Sequence, residues 1–168
     1  MNQFVFNQYL CCAIVGLSLL GNPILAISAT PGSSTLPIFS TRYDSTRDPI
    51  EDGKAALKIA LDKNRKVLIE VGGNWCSWCA ILDKFIHSRP QLKKDFFNTF
   101  VLLKVNVSDE NDNKEFLKVF PPVFGYPHMF VTNSKGKILE SKDTADFLVN
   151  KRYSVAKLYA FINQWKAE

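Results

Sequence analysis

Val67-Leu68-Ile69-Glu70-Val71 runs through Gly72-Gly73 straight into Asn74-Trp75-Cys76-Ser77-Trp78-Cys79, and this junction constrains the fold more than any other stretch of the chain. The run is mostly apolar, partly β-branched, and bounded by Arg65-Lys66 and the glycine pair, which marks a buried strand. From Cys76 to about His87 the apolar residues Cys79, Ile81, Leu82, Phe85 and Ile86 recur at helical spacing. A buried strand that gives way to a helix within a few residues belongs to a layered α/β arrangement, with both thiols at the strand-to-helix turn.

The rest of the pattern extends that arrangement. Asp48-Pro49-Ile50-Glu51 is a helix start, with an oxygen-bearing cap, proline at the first helical position and a carboxylate three residues after the cap. Ala56, Leu57, Ile59, Ala60 and Leu61 continue that helix to about Asn64. After the cysteine helix, Pro90 resets the chain into a second helical piece through Phe97, and Phe100 to Val107 is a second strand. Asp109 to Phe120 is expected as a polar helix ended by Pro121-Pro122. Pro127 introduces a third strand, His128 to Thr132. It is joined through the Asn133-Ser134-Lys135-Gly136 turn to a fourth, Lys137 to Ser141. A last helix from about Ser154 to Trp165 carries Val155, Leu158, Tyr159, Phe161, Ile162 and Trp165 on one face. Strands alternating with helices imply parallel pairing, and the hairpin adds an antiparallel edge. The expectation is a mixed sheet of about four strands covered by helices on both faces.

With 168 residues, 46% of them hydrophobic, the chain can bury one ordinary core and is short for two. The first charged side chain is Arg42, and the apolar run Tyr9 to Leu20 matches the length of a secretory signal core, with Ala26 and Ser28 spaced for cleavage before Ala29. Residues 1–28 are therefore expected to be a signal peptide, with an uncleaved N-terminal anchor as the alternative. The Gly21-Asn22-Pro23 break, which a spanning helix would have to absorb, favours cleavage. Residues 29–47, rich in Pro, Gly, Ser and Thr, are expected as a flexible linker, and residues 48–168 as the folded domain. The protein is thus expected in the periplasm or secreted, touching a membrane only if the N-terminal segment stays attached. Its net charge of +5 is spread over scattered lysines with no basic run interleaved with aromatics, which argues against nucleic acid as a partner.

Cys11 and Cys12 fall in the apolar leader, so the mature chain keeps only Cys76 and Cys79, in a compartment where disulfides persist. Residues three apart on a helix lie one above the other, within reach of a disulfide. At the first helical turn, free backbone N–H groups and the positive dipole end stabilise a Cys76 thiolate, making Cys76 the nucleophile and Cys79 the resolving thiol. Other readings compete with this one. A zinc half-site needs two more ligands, and the chain offers only His87 and His128. Two thiolates also suit copper(I), although Met1 and Met129 make no methionine cluster. Haem attachment needs a histidine where Ala80 stands. A structural staple closing so short a loop would constrain almost nothing in the unfolded chain. A redox-inert binding or chaperone module, holding clients through Trp78, Tyr126 and Phe124, is a further alternative.

A strand ending in Val71, a Trp-Cys-x-x-Cys at the next helix start, and a proline about fifty residues on at the mouth of a hairpin resemble the thioredoxin fold family over residues 48 to 167. The chain is most similar to secreted bacterial thioredoxin-like proteins with a G-x-W-C-x-W-C site, and more loosely to the thiol-reductase domain of the periplasmic electron-transfer system. The resemblance implies a thiol-disulfide oxidoreductase that needs no cofactor and exchanges with protein thiols or disulfides and a redox partner protein. It implies that Pro127 is the family's cis-proline beside the dithiol. It also implies that Glu70, six residues before Cys76, is the buried carboxylate that assists proton transfer from the inner thiol. Trp75 matches the tryptophan that shields the site. Trp78 and Tyr126 depart from the family pattern and are expected beside the thiols as an aromatic lip for partner chains, with ordinary packing as the alternative. His128 replaces a common threonine and either tunes thiolate charge or packs in the strand. His87 is expected to cap its helix. Ser77-Trp78 lacks both the proline of strongly reducing sites and the histidine of oxidising ones, and the role expected is that of a reductase or electron-transfer protein. With both mature cysteines paired, a monomer is expected.

Overall fold

The computed structural model describes residues 36–166. The expected signal peptide or anchor, with Cys11 and Cys12, lies outside the described residues, as does the first part of the expected linker. Among the described residues no helix is long and apolar enough to cross a membrane.

The chain forms α1 (Pro49–Asp62), β1 (Lys66–Gly72), α2 (Ser77–His87), α3 (Pro90–Thr99), β2 (Phe100–Asn106), α4 (Lys114–Leu117), β3 (His128–Thr132), β4 (Ile138–Asp143), β5 (Leu148–Val149), β6 (Arg152–Tyr153) and α5 (Val155–Trp165). Asp48 caps α1 as its sequence requires, its carboxylate accepting from the Ile50 N–H at 2.8 Å with Pro49 at the first position. The main sheet has the order β2-β1-β3-β4. Strand alternation sorts its core into two layers. Val67, Ile69 and Val71 of β1 join Val101, Leu103 and Val105 of β2 under Ala56 and Ala60 of α1. On the other face Leu68, Leu102, Met129 and Val131 meet Leu82 and Ile86 of α2, Leu92 and Phe96 of α3, and Leu158, Phe161 and Ile162 of α5. The chain is an α/β protein with a mixed four-stranded sheet and helices on both faces.

Three local expectations are corrected. Only β1 and β2 pair in parallel; β3 runs antiparallel to β1, with Val71 opposite His128. After β2 the chain stays at the end of the sheet where β1 also finishes and enters β3 from there, so β3 must reverse. The polar helix expected over Asp109 to Phe120 shrinks to Lys114–Leu117. Its polar side chains compete for the backbone: Asn106 Nδ2 donates to the Asn111 carbonyl at 3.2 Å, Asn113 Nδ2 to the Asn106 carbonyl at 2.7 Å, and Asn113 itself is left-handed with φ 50°. The folded part also starts before Asp48. Ile38–Ser40 form a 3₁₀ turn whose Phe39 joins the α1-side core, Ser40 Oγ donates to the Leu102 carbonyl, and Tyr43 is buried. Residues 36–47 are thus a packed strap in place of a free linker, because Phe39 and Tyr43 supply the apolar anchors that the surrounding Ser and Thr lack.

The small β5–β6 hairpin, absent from the sequence expectation, turns on Asn150 and Lys151, both at positive φ (49° and 59°) as a two-residue hairpin turn demands.

Candidate active site

The end of β1 delivers the dithiol. Gly73 lets the chain fold back: a β-carbon there would overlap Trp75 Nε1 and lie 2.9 Å from the Val107 carbonyl, to which that indole N–H donates at 2.6 Å. Cys76 then becomes the N-cap of α2, and its sulfur accepts the Cys79 N–H at 3.1 Å. Cys76 and Cys79 are joined in a disulfide with their Cα atoms 5.3 Å apart, and both are buried.

Because β3 starts opposite the end of β1, the cis Tyr126–Pro127 bond sits at the dithiol end of the sheet. The Pro127 carbonyl accepts from Thr144 Oγ1 at 2.6 Å. The aromatic side chains next to the cysteines form two separate pairs. Trp75, 58% exposed, packs edge-to-face on Tyr126 with centroids 5.4 Å apart, whereas Trp78 packs edge-to-face on Tyr153 of the small hairpin at 5.9 Å. Each pair includes one tryptophan of the stretch that carries the dithiol.

Beneath it is a buried charged cluster. Glu70, 3% exposed, accepts a hydrogen bond from the Tyr43 hydroxyl. Its register partner on β2 is Lys104, whose Nζ lies 3.5 Å from Glu70 Oε1 and 2.9 Å from Asp83 Oδ1 on α2. Lys104 Nζ also stands 4.9 Å from the Tyr43 ring centroid.

The thioredoxin-like family model matches residues 48–134. The chain belongs to the thioredoxin-like family. A thioredoxin from Mycoplasmoides gallisepticum is 34% identical to this thioredoxin-like protein over 70 residues, covering 42% of this chain and 68% of that one. Among solved structures, a disulphide isomerase from Xylella fastidiosa superposes with a TM-score of 0.61 at 26% identity, covering 79% of this chain and 98% of that one. The oxidised C-terminal domain of DsbD from Neisseria meningitidis superposes with a TM-score of 0.52 at 18% identity, covering 71% and 97%. The latter likeness concerns the fold.

The thioredoxin-like scaffold brings Cys76, Cys79, Glu70, Pro127, Trp75 and Tyr126 to one end of the sheet and places Trp78 on the flank. It does not bring His128 to the carboxylate. His128 shares the α1-side face with Phe130, its ring 4.8 Å from that ring, and its Nε2 pairs with Ser141 Oγ at 2.8 Å. Burial lowers its pKa, against a smaller opposing pull from Asp143. His87, in the last turn of α2, places Nδ1 2.9 Å from the Asp83 carbonyl. Among the described residues no group of three or more His, Cys, Asp or Glu side chains is arranged to hold a metal ion.

Sequence reasoning missed Tyr43, Lys104 and Asp83. A signal for Lys104 existed: it is the fifth residue of β2, as Glu70 is of β1, so opposite charges stand at matching places in two apolar strands. No local pattern marks Tyr43. Burial pulls the Lys104 pKa down, but the attraction and hydrogen bonds of Glu70 and Asp83 outweigh it and hold the ammonium above its ordinary value. Burial first, then the charge and hydrogen bond of Glu70, raise the Tyr43 phenol well above its ordinary value. Tyr43 therefore keeps its proton and donates it to the carboxylate.

Proposed function

We propose that this protein is an exported thiol-disulfide oxidoreductase acting in the periplasm or outside the cell. The observation that carries the reading is a cysteine pair at the N-terminus of α2, with the Cys76 sulfur accepting the Cys79 N–H. That hydrogen bond and the positive helix end favour a thiolate at Cys76. The Cys76 thiolate attacks a partner disulfide, one partner sulfur leaves as thiolate, and a mixed disulfide forms. Cys79 then attacks Cys76 Sγ, closing the internal disulfide and releasing the second partner sulfur. In reverse, the internal disulfide oxidises a dithiol. Glu70, buried behind the pair, takes the proton that Cys79 must lose. Trp75 and Tyr126 offer an apolar surface to a protein partner beside Pro127. The apolar leader at residues 1–28 supports export. The role that fits is that of a reductase or electron-transfer protein exchanging through its own thiols, and with both cysteines of the mature chain paired no thiol is left to link two copies, which supports a monomer.

The test is the equilibrium of the pair against a glutathione buffer series, read by tryptophan fluorescence and by mass spectrometry after thiol alkylation. A reversible two-electron transition below about −220 mV supports the reductase reading, and one between about −120 and −180 mV makes the protein an oxidase or isomerase. A pair that never cycles removes the redox reading. The exposed aromatics, Phe124 at 89% and Trp75 among them, would then carry a client-binding role instead.

A further inference from the structure

Tyr43 comes from the strap before α1, outside the stretch matched by the family, yet it ends against the dithiol. With Cys76 and Cys79 it forms one buried cluster, separate from both sheet cores. A methyl group built on Gly72 would lie 2.6 Å from Cys79 Sγ and 2.7 Å from Tyr43 Oη, so the inner sulfur and the phenol flank a single point above Gly72. On its other side the same hydroxyl donates to Glu70 Oε1. The phenol oxygen therefore contacts the carboxylate directly and shares the space above Gly72 with the inner sulfur.

We propose that Tyr43 relays the proton from Cys79 to Glu70 during resolution of the mixed disulfide. The inference rests on the disulfide-exchange reading above. In the step, the Cys79 S–H bond breaks as a new O–H bond forms on Tyr43, while the original Tyr43 O–H bond breaks and its proton joins Glu70. The Cys79 sulfur attacks Cys76 Sγ, and the partner sulfur leaves with the electron pair of the broken S–S bond. Tyr43 is neutral before and after, and the partner disulfide is the only oxidant needed. Lys104 and Asp83 face the cluster from β2 and α2, and Lys104 holds Glu70 where the phenol reaches it. Asn74 Nδ2 donates to the Tyr43 carbonyl at 3.3 Å, tying the strap to the loop that carries Cys76.

Tyr43→Phe keeps the ring and removes the relay oxygen. Reduced full-length protein is mixed with oxidised glutathione, and the concentration-independent rate at saturation reports resolution by Cys79. The expected result is a resolution rate lower by at least about tenfold, with the second-order rate of Cys76 attack retained. The double variant Tyr43→Phe/Glu70→Gln should be no slower than the slower single one, because the two groups act in series. A measurement on the wild type stands even if the variant fails to fold: the resolution rate against deuterium fraction should bow for two protons in flight. A straight line in the wild type, or a Tyr43→Phe variant that resolves at the wild-type rate, overturns the relay and leaves disulfide exchange intact. Absence of any mixed disulfide in the wild type overturns the exchange reading itself.

Discussion

Replacing Lys104 by Met would strand a carboxylate in the core. The Glu70 and Lys104 side chains are each only 4% exposed, and the ammonium lies between Glu70 and Asp83. Methionine fills the space of the lysine stem but leaves Glu70 with the Tyr43 hydroxyl alone. Removing one partner of a buried pair costs about 3–5 kcal/mol. The low end applies, because Tyr43 still donates and Asp83, whose side chain is 40% exposed, returns to water. A loss of about 3 kcal/mol is roughly two orders of magnitude in the folding equilibrium. With an m-value of about 2 kcal/mol/M, the urea midpoint of the oxidised protein falls by about 1.5 M. The pH dependence has a definite sign. The folded-state pKa of Lys104 is raised, so the stability it contributes is fully present below the unfolded lysine value of about 10.4 and is lost as pH rises through the folded value. The contribution of Lys104 itself should therefore stay level across neutral pH and fall away only in strong alkali. Adding Glu70→Gln to Lys104→Met removes the stranded charge and should restore most of the loss. Urea titrations of the three proteins decide it. A Lys104→Met variant within about 1 kcal/mol of wild type at pH 7, the cost of an exposed pair, would refute the reasoning. So would a double variant as unstable as the single one.

Gly72→Ala should lower stability by about 1–3 kcal/mol in thermal unfolding, because the new methyl group meets Cys79 Sγ at 2.6 Å and Tyr43 Oη at 2.7 Å. Phe39→Ala should cost about 3–5 kcal/mol and expose the strap to limited proteolysis, whereas a free linker would show neither effect. Burial depresses the folded pKa of His128, so its contribution is complete above the unfolded histidine value of about 6.5 and is lost as pH falls through the folded value. In an NMR titration its ring protons should shift below the ordinary histidine range, and a midpoint at or above that range would contradict the burial argument.

The strands and the dithiol were legible because their signals are local. Short apolar, β-branched runs place β1 and β2, the Asn133-Ser134-Lys135-Gly136 turn places the β3–β4 hairpin, the Asp48-Pro49 cap places α1, and helical spacing of apolar residues places α2. What the sequence hid depends on distance or competition. Tyr43 meets Glu70 across a separation of 27 positions, which no window of helical or strand period spans. The strap looked like a linker because Ser and Thr outnumber its two anchors. The helix over Asp109 to Phe120 had suitable breakers at its ends, but its asparagines take the backbone bonds that a helix needs. The reversal of β3 turns on which end of the sheet the chain enters, a tertiary fact.

The buried pair also ties the chemistry to the register of the sheet. Glu70 stands opposite Lys104 in the parallel ladder, with Ile69 opposite Leu103 and Val71 opposite Val105. A slip of β2 by one residue would turn every one of its side chains to the other face. Lys104 would then enter the apolar layer under Ala56 and Ala60, and Leu103 or Val105 would stand against the Glu70 carboxylate. Lys104 would be buried away from both carboxylates and Glu70 would keep only the Tyr43 hydroxyl, and each such burial is costly. Only the observed register satisfies Glu70, and in that register its carboxylate lies on the face where α2 presents Cys79. The ion pair that favours this strand alignment therefore also holds the carboxylate that the proposed resolution step uses as its proton acceptor.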